Sequence, residues 1–458
     1  MNVPYTELFV ATSKITPIIN ALQSIGATSY LVGGSVRDLI LKKPIKDLDI
    51  EVHGINFEQL QETLRTFGPV ILCGQSFGVL KLTNHQIDWS LPRTDSAGRK
   101  PLVAINPHLG IEKALQRRDF TINDMAINLN LINTHTSSCK DNLSCLHAVE
   151  IIDPYNGLHD LSHSILRAVD DQLFIEDPLR LFRAMQFIGR FELAADKSLN
   201  NLCKTMLLSD PESNKTLARE RIIEELKKLF TQAAQPSRGI RWIIAIEKFN
   251  SLFPELPHFL ANPHTPSEEC NNALKLLDIA ASKTTKNQYQ FAFMLSAFLF
   301  NTIDTKTFSQ TYTVIKKTLH SLANDQHLIK TVATLLFYTP QALTTTHAPQ
   351  PTIACKKLAH LIAPTLTLET LGKFLYITTD TTTHQIFINY AQQAGVYTQE
   401  EKAILSGADL LNSIQPGPLL GAILEKVYLY QLEQNITDPI KLHEYALSLI
   451  TPPPRLGA

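Results

Sequence analysis

Along the first 130 residues the apolar positions switch period repeatedly, from helical to alternating and back. KITPIINALQSIG (14–26) has helical spacing and a glycine stop, and SYLV (29–32) reads as a short buried strand running into Gly33 and Gly34. SVRDLILKK continues as a helix, DLDIEV (47–52) alternates as a strand, and FEQLQETLRTFG (57–68) is helical again. PVILCG, FGVLKL and HQIDWSL follow as three extended runs. This pattern predicts a compact α/β unit ending near residue 130 on a small mixed sheet. After the turn-rich EIIDPYNGLHDL (150–161) the period changes for good. Apolar residues recur at i, i+3 and i+4 from Leu179 to Phe191, and no later stretch reads as a strand. Threonine-rich segments between about 340 and 385 (ALTTTHAPQPT, TTDTTTHQ) predict loops. The expected fold class is α+β: an N-terminal domain on a small mixed sheet, then an all-α C-terminal half. No repeat of fixed period argues for a solenoid.

A chain of 458 residues exceeds one core, so two to four domains are expected. With 44% hydrophobic and 19% charged residues, the formal net charge of -1 argues against bulk electrostatic capture of nucleic acid but does not exclude a local basic surface. Arg93, Arg99, Lys100, Lys113, Arg117 and Arg118 fall in one short span, opposed only by Asp95, Glu112 and Asp119. Six cysteines without a CxxC pair give neither a disulfide framework nor a zinc site; Cys139 and Cys145, the closest pair, sit in a polar, loop-like stretch. MNVPYTELFVATSK lacks a basic region followed by an apolar run, and FAFMLSAFLF (291–300) is about half the length a bilayer requires. A cytoplasmic protein without membrane association is expected.

Candidate chemistry gathers in a few places. Two glycines before a helix can bring backbone N–H groups to a phosphate, although a tight turn reads the same way. Asp47 and Asp49 are two apart, so on a strand both leave by one face, which suits Mg²⁺ bound through carboxylates and substrate phosphates; a solvated edge strand is the plain alternative. Arg117 and Arg118 cannot face one way, so one can point inward while Asp119 holds the other in place. In IEDPLRLFRAMQFIGRF (175–191), Pro178 suits a first turn, and Asp177, Arg180 and Arg183 are spaced to share one face. A carboxylate and a guanidinium side by side can meet the edge of a base, or can simply be a salt-bridged surface.

Taken together, GGSVRD, DLDIEVHG, RRDFTIND, DPYNGL, EDPLRLFRAMQF and ERIIEEL, in this order and spacing, resemble the class II tRNA nucleotidyltransferases (CCA-adding enzymes) and the bacterial poly(A) polymerases of the DNA polymerase beta-like superfamily. The ordered segments run over roughly residues 28 to 230, and LSGADLLNSIQPGPLLGAILEKV (405–427) looks like the family's tail. The resemblance implies a polymerase beta-like catalytic domain (1–150), a helical nucleotide-recognition neck (151–255) and a helical tRNA-binding body and tail (256–458). It implies that Asp47 and Asp49 are the catalytic, metal-binding pair for Mg²⁺. Gly34 and Arg37 match nucleotide-contacting loop positions, Arg118 a phosphate or ribose contact, and Asp177 with Arg180 the pair that reads the base, with Arg183 as a further nucleotide contact.

The implied reaction is template-independent addition of C, C and A to the 3′ end of tRNA from CTP and ATP, releasing pyrophosphate by two-metal in-line attack. DWSLPRTDSAGRK matches the loop that family members use in changing from C to A addition. Alternatives are a poly(A) polymerase, an enzyme adding only CC or only A, and a non-catalytic RNA-binding relative. Two positions depart from the family pattern, Gln186 where many relatives have arginine and Asp124 where alanine or serine is usual, while Asp88 stands where some relatives carry a third acidic residue. Several relatives also carry a metal-dependent phosphohydrolase domain with a His-Asp pair. Here Ser296-Ala297 stand at about that place, which implies a helical scaffold, with His264 and His320 at the surface.

Overall fold

The computed structural model describes residues 8, 12–45, 48–73, 78–83, 87–95, 103–131, 149–208, 219–300, 302–303, 305–320 and 325–450. The chain divides into two compact units, Met1–Leu229 with Arg238–Phe249, and Phe230–Ser237 with Asn250–Ala458.

In the first unit, helix α1 (Thr16–Ser24) leads through Gly26 into β1 (Thr28–Val32), followed by α2 (Gly34–Ile40), β2 (Leu48–His53) and α3 (Phe57–Arg65). A capping box fixes the start of α3, Asn56 accepting from Gln59 N and Gln59 accepting from Asn56 N. The three extended runs are β3 (Val70–Cys73), β4 (Val79–Leu82) and β5 (Ile87–Ser90). A hairpin of β6 (Arg93–Asp95) with β7 (Val103–Ile105) follows, then α4 (Ile111–Gln116) and β8 (Ala126–Asn128). Six strands form one sheet in the order β3-β4-β5-β2-β1-β8. All neighbours are antiparallel except β2 with β5, so the sheet is mixed.

Alternation along β2 decides what the sheet does. Ile50 and Val52 are fully buried, as are Leu31, Leu80 and Trp89, and each such side chain contributes about 1.5–3 kcal/mol by leaving water. Asp49, Glu51 and His53 leave by the opposite face.

Beyond the sheet lie α5 (Gly157–Ser162), α6 (Asp171–Glu176), α7 (Leu179–Phe191), α8 (Lys197–Thr205) and α9 (Arg219–Gln232). DPYNGL proves to be a clamp. Asp153 accepts from Gly157 N and Leu158 N at 2.6 and 2.9 Å, and Asn156 takes the left-handed conformation (φ 60°). A Cβ at Gly157 would lie 2.2 Å from the Thr121 carbonyl oxygen, so only glycine lets this turn close on RRDFTIND.

Two features differ from the sequence expectation. Short strand pairs occur after residue 160, Ile165–Leu166 with Ala194–Ala195 and Leu260–Asn262 with Thr265–Pro266, too short for any periodic signal. The threonine-rich stretch is also helical rather than looped, in Gln326–Thr345, Pro351–Ile362, Leu368–Thr378 and Thr381–Gln393. The hydroxyls donate to carbonyls one turn back, Thr339 to Leu335 O and Thr345 to Ala342 O, and Asp380 caps the last of these helices through Thr383 N. The second unit packs aromatic side chains together, Phe253 and Phe259 against Phe298 and Phe293 against Phe374, and also holds long-range pairs such as Lys356 with Glu401 at 2.6 Å. Ser296 and Ala297 lie fully buried inside the helix Gln290–Leu299. No helix among the described residues is long and apolar enough to cross a membrane.

Candidate functional site

β1 ends at Val32, and Gly33 then adopts φ 75°, a conformation L side chains rarely take. Its N–H donates to Met125 O at 3.3 Å. A Cβ here would lie 2.5 Å from Arg118 Nη1 and 3.5 Å from Asp49 Oδ2. The glycine therefore does two jobs: it turns the chain, and it leaves room for a guanidinium and a carboxylate to converge. At Gly34 a Cβ would stand 3.3 Å from Arg37 Nη2. α2 has only two turns, and its Ser35 hydroxyl accepts from Asp49 N at 3.2 Å, tying helix to strand.

Around this corner opens a cleft of about 390 Å³. Its walls carry Arg37, Arg118, Arg183, Arg190 and Lys228 against only two carboxylates, Asp49 and Asp119, with Gly34, Asn123, Gln186 and Phe187 completing it. Such a surplus of positive charge in a concave wall attracts a polyanion. Much of the wall is fixed internally. Arg37 is buried, donates to Asn123 Oδ1 and to Asp38 Oδ1 (2.7 and 2.9 Å), and lies 4.3 Å from the centre of the Phe191 ring. Lys228 pairs with Glu225 at 2.8 Å.

Asp119 has a different partner from the one the sequence suggests. Its Oδ2 accepts from Arg183 Nε at 2.5 Å, and Oδ1 accepts from Asn123 Nδ2 and from Phe120 N, both at 3.0 Å. Burial alone would raise this carboxyl, but Arg183 and Asn123 outweigh it and hold it below the ordinary carboxylate range. Arg117 turns instead to the buried Glu51 (Nη2 to Oε2, 3.5 Å), whose other oxygen faces His53 Nε2 at 3.0 Å. Arg118 alone of the pair reaches the cleft, where its Nε is buried without a hydrogen-bond partner.

Asp88 is the register partner of Asp49 across the parallel β2–β5 pair, so the two share a face. Lys81 from β4 lies 2.9 Å from its Oδ1. Asp47 lies outside the described residues, as do Cys139, Cys145 and residues 96–102 of the basic loop. Among the described residues no group of three or more His, Cys, Asp and Glu could hold a metal ion.

Asp177 and Arg180 frame the start of α7 without lining the cleft. Pro178 directly precedes the helix, Asp177 Oδ1 accepts from Leu179 N at 3.0 Å, and its Oδ2 meets Arg221 at 3.3 Å. Arg180 donates to Leu173 O and Arg117 O at 2.9 and 2.8 Å. In this conformation Arg180 joins α6 to the end of α4. Four lining residues had no role assigned from the sequence: Asn123, Phe187, Arg190 and Lys228. Arg190 was open to reading as the last basic position of the α7 arginine series at helical spacing.

Residues 29–167 match the family described as the Poly A polymerase head domain. An A-adding tRNA nucleotidyltransferase of Halalkalibacterium halodurans is 32% identical over 206 residues, 44% of this chain and 44% of its own length. A Multifunctional CCA protein of Xanthomonas euvesicatoria is 34% identical over 236 residues, 50% of this chain and 51% of its own. The chain thus spans about half the length of these curated relatives. A CCA-adding enzyme of Bacillus stearothermophilus, solved in complex with CTP, superposes with a TM-score of 0.65 at 18% identity, over 96% of this chain and 97% of that one. The Thermotoga maritima CCA-adding enzyme complexed with tRNA gives 0.58 at 22%, over 98% and 99%. The fold is that of these enzymes along nearly the whole chain.

Proposed function

We propose that this chain, whose residues 29–167 belong to the Poly A polymerase head-domain family, is a template-independent tRNA nucleotidyltransferase that adds C, C and A to the tRNA 3′ end. CTP and ATP are the donors and pyrophosphate leaves. The observation that carries this reading is the cleft, where Arg37, Arg118, Arg183, Arg190 and Lys228 face Asp49 beside a glycine corner.

In this proposal the triphosphate lies along the guanidinium wall. The cations balance charge on the pyrophosphate as the tRNA 3′-hydroxyl attacks the α-phosphate, and the wall is preorganised because Asp119, Asn123 and Asp38 already hold it. Asp49, half-buried at the cleft, offers the hard carboxylate oxygen that Mg²⁺ requires, and Asp47 is the second ligand of the proposal. Bound there, Mg²⁺ would supply Lewis-acid stabilisation of the phosphoryl oxygens. Asp177 and Arg180 read the base by exchanging their present hydrogen bonds for its edge. The remaining parts of the proposal are a catalytic domain over 1–150, a recognition neck over 151–255, a body over 256–458 that grips tRNA by shape and backbone, and a cytoplasmic location.

One observation favours a narrower activity: the Halalkalibacterium relative, and another from Aquifex aeolicus 32% identical over 201 residues, are A-adding enzymes. Labelled tRNA lacking its terminus separates the readings when supplied with CTP alone, ATP alone and both. Two cytidines from CTP alone, and CCA from the mixture, is the expected result. Addition of A only after a supplied CC establishes the A-adding reading, and tailing of arbitrary RNA establishes a poly(A) polymerase.

A further inference from the structure

Asp124, where the chain departs from RRDFTIN-A, has no place in the reading above. It follows Asn123, which receives the Arg37 guanidinium, and precedes Met125, whose carbonyl receives Gly33 N. Asp124 is therefore part of the backbone that shapes the cleft wall. Its side chain is fully buried, and neither carboxylate oxygen has a hydrogen-bond donor. Next to this deficit of donors lies a deficit of acceptors, because Arg118 Nε is also buried without a partner. The two deficits are complementary and within electrostatic reach of each other.

We propose that Asp124 is a positioning residue for Arg118. While its carboxyl keeps a proton, the guanidinium stays turned into the cleft. When the proton leaves to solvent, the carboxylate draws the guanidinium back and weakens the triphosphate site. The inference rests on the reading of the cleft as a nucleotide site.

The surroundings support it. An ionised carboxylate with no donor and no exposure is costly, and burial pushes Asp124 up to about 7. Arg118 pulls it down, Asp153 and Asp119 push it further up, and Arg117 pulls it down. These are the charged groups that face it, Arg117, Arg118 and Asp119 from the end of α4 and Asp153 from the segment before α5. Tyr155, itself raised by burial and by Asp124, is the titratable neighbour from that same segment. Of the two cations that lower Asp124, Arg118 has the larger influence, and it lines the cleft whereas Asp124 does not, so turning toward an ionised Asp124 takes the cation out of the cleft.

The test is CTP binding to the full chain from pH 6 to 9, for the wild type and for Asp124→Asn. The ratio of their dissociation constants cancels the ionisation of CTP itself. It should stay near unity at pH 6 and rise above pH 7, by at most about tenfold per pH unit. A constant ratio overturns the inference. Asp124→Ser, closer to the family pattern, should remove the same pH dependence, and its retention would also overturn it. A second measurement needs no nucleotide. The gap in melting temperature between Asp124→Asn and wild type at pH 8.5 should widen in an Arg118→Met background, since the ionised carboxylate then loses the larger of its two cationic influences, Arg117 being the other. An unchanged gap overturns the inference. Failure of CTP to bind any variant, with the gap widened, overturns the nucleotide reading and leaves the role of Asp124 supported.

Discussion

The cleft of the first unit and the threonine-rich helices of the second both bury polar groups, but they satisfy them differently. In the cleft the partners come from far along the chain: Arg37 with Asn123, Arg183 with Asp119, Arg180 with the Arg117 carbonyl. In the helices several hydroxyls find an acceptor within four residues, as Thr339 finds Leu335 O and Thr345 finds Ala342 O. Long-range hydrogen bonds from charged groups fix a geometry and are costly to break singly. Local back-bonds fix nothing beyond their own turn. One region is built for placement, and the other for support.

This contrast can be broken or sharpened in order of expected effect. Asp49→Asn keeps the shape and removes the charge beside Arg118, so turnover should fall by about a thousandfold or more while tRNA affinity and melting temperature hold. Turnover near wild type would remove Asp49 from the chemistry. Asp119→Ala leaves Arg183 without its 2.5 Å partner and should cost about 3 kcal/mol in urea unfolding, with weaker nucleotide binding. A cost under about 1 kcal/mol would mean that the pair is not structural. Gly33→Ala meets both the positive φ and Arg118, so about 1–2 kcal/mol of stability and roughly tenfold in CTP affinity should be lost. Unaltered affinity would show that Arg118 can move without consequence. Thr339→Val in the second unit should change stability by less than about 1 kcal/mol and leave turnover alone, because the Leu335 carbonyl keeps its backbone donor.

A pH effect on stability sharpens a closer comparison, between Asp119 and Asp124 in the same motif. Asp119 is held low by its partners, whereas Asp124 is raised to about 7. A raised carboxyl binds its proton more tightly folded than unfolded, so its contribution falls as pH rises from the ordinary carboxylate range to about 7. Asp124→Asn should therefore melt higher than wild type above pH 7 and match it near pH 4. The reverse order would mean that the ionised carboxylate is stabilised where it sits.

Much of the scaffold was legible in the sequence. Period and glycine stops located α1, β1, α2 and β2 to within a few residues, because burial on one face imposes those periods locally. Placing Gly34, Arg37, Asp49, Arg118 and Arg183 around one cleft was legible only through the ordered motifs, since no spacing brings residues 34 and 183 together. The threonine-rich helices were misread because a hydroxyl that favours loops in isolation is neutral once it bonds the preceding turn.

The order of elements, the mixed sheet and the strand that presents Asp49 were thus set by hydrophobic periodicity, a property of neighbours in the chain. Which charges pair was decided only in the folded molecule. Asp119 turns to Arg183 rather than to the adjacent arginines, Arg180 turns to two carbonyls, and Asp124 is left with no donor at all. The reason is geometric: a hydrogen bond is satisfied or orphaned by atoms a few ångströms away, and the fold chooses those atoms from distant parts of the sequence.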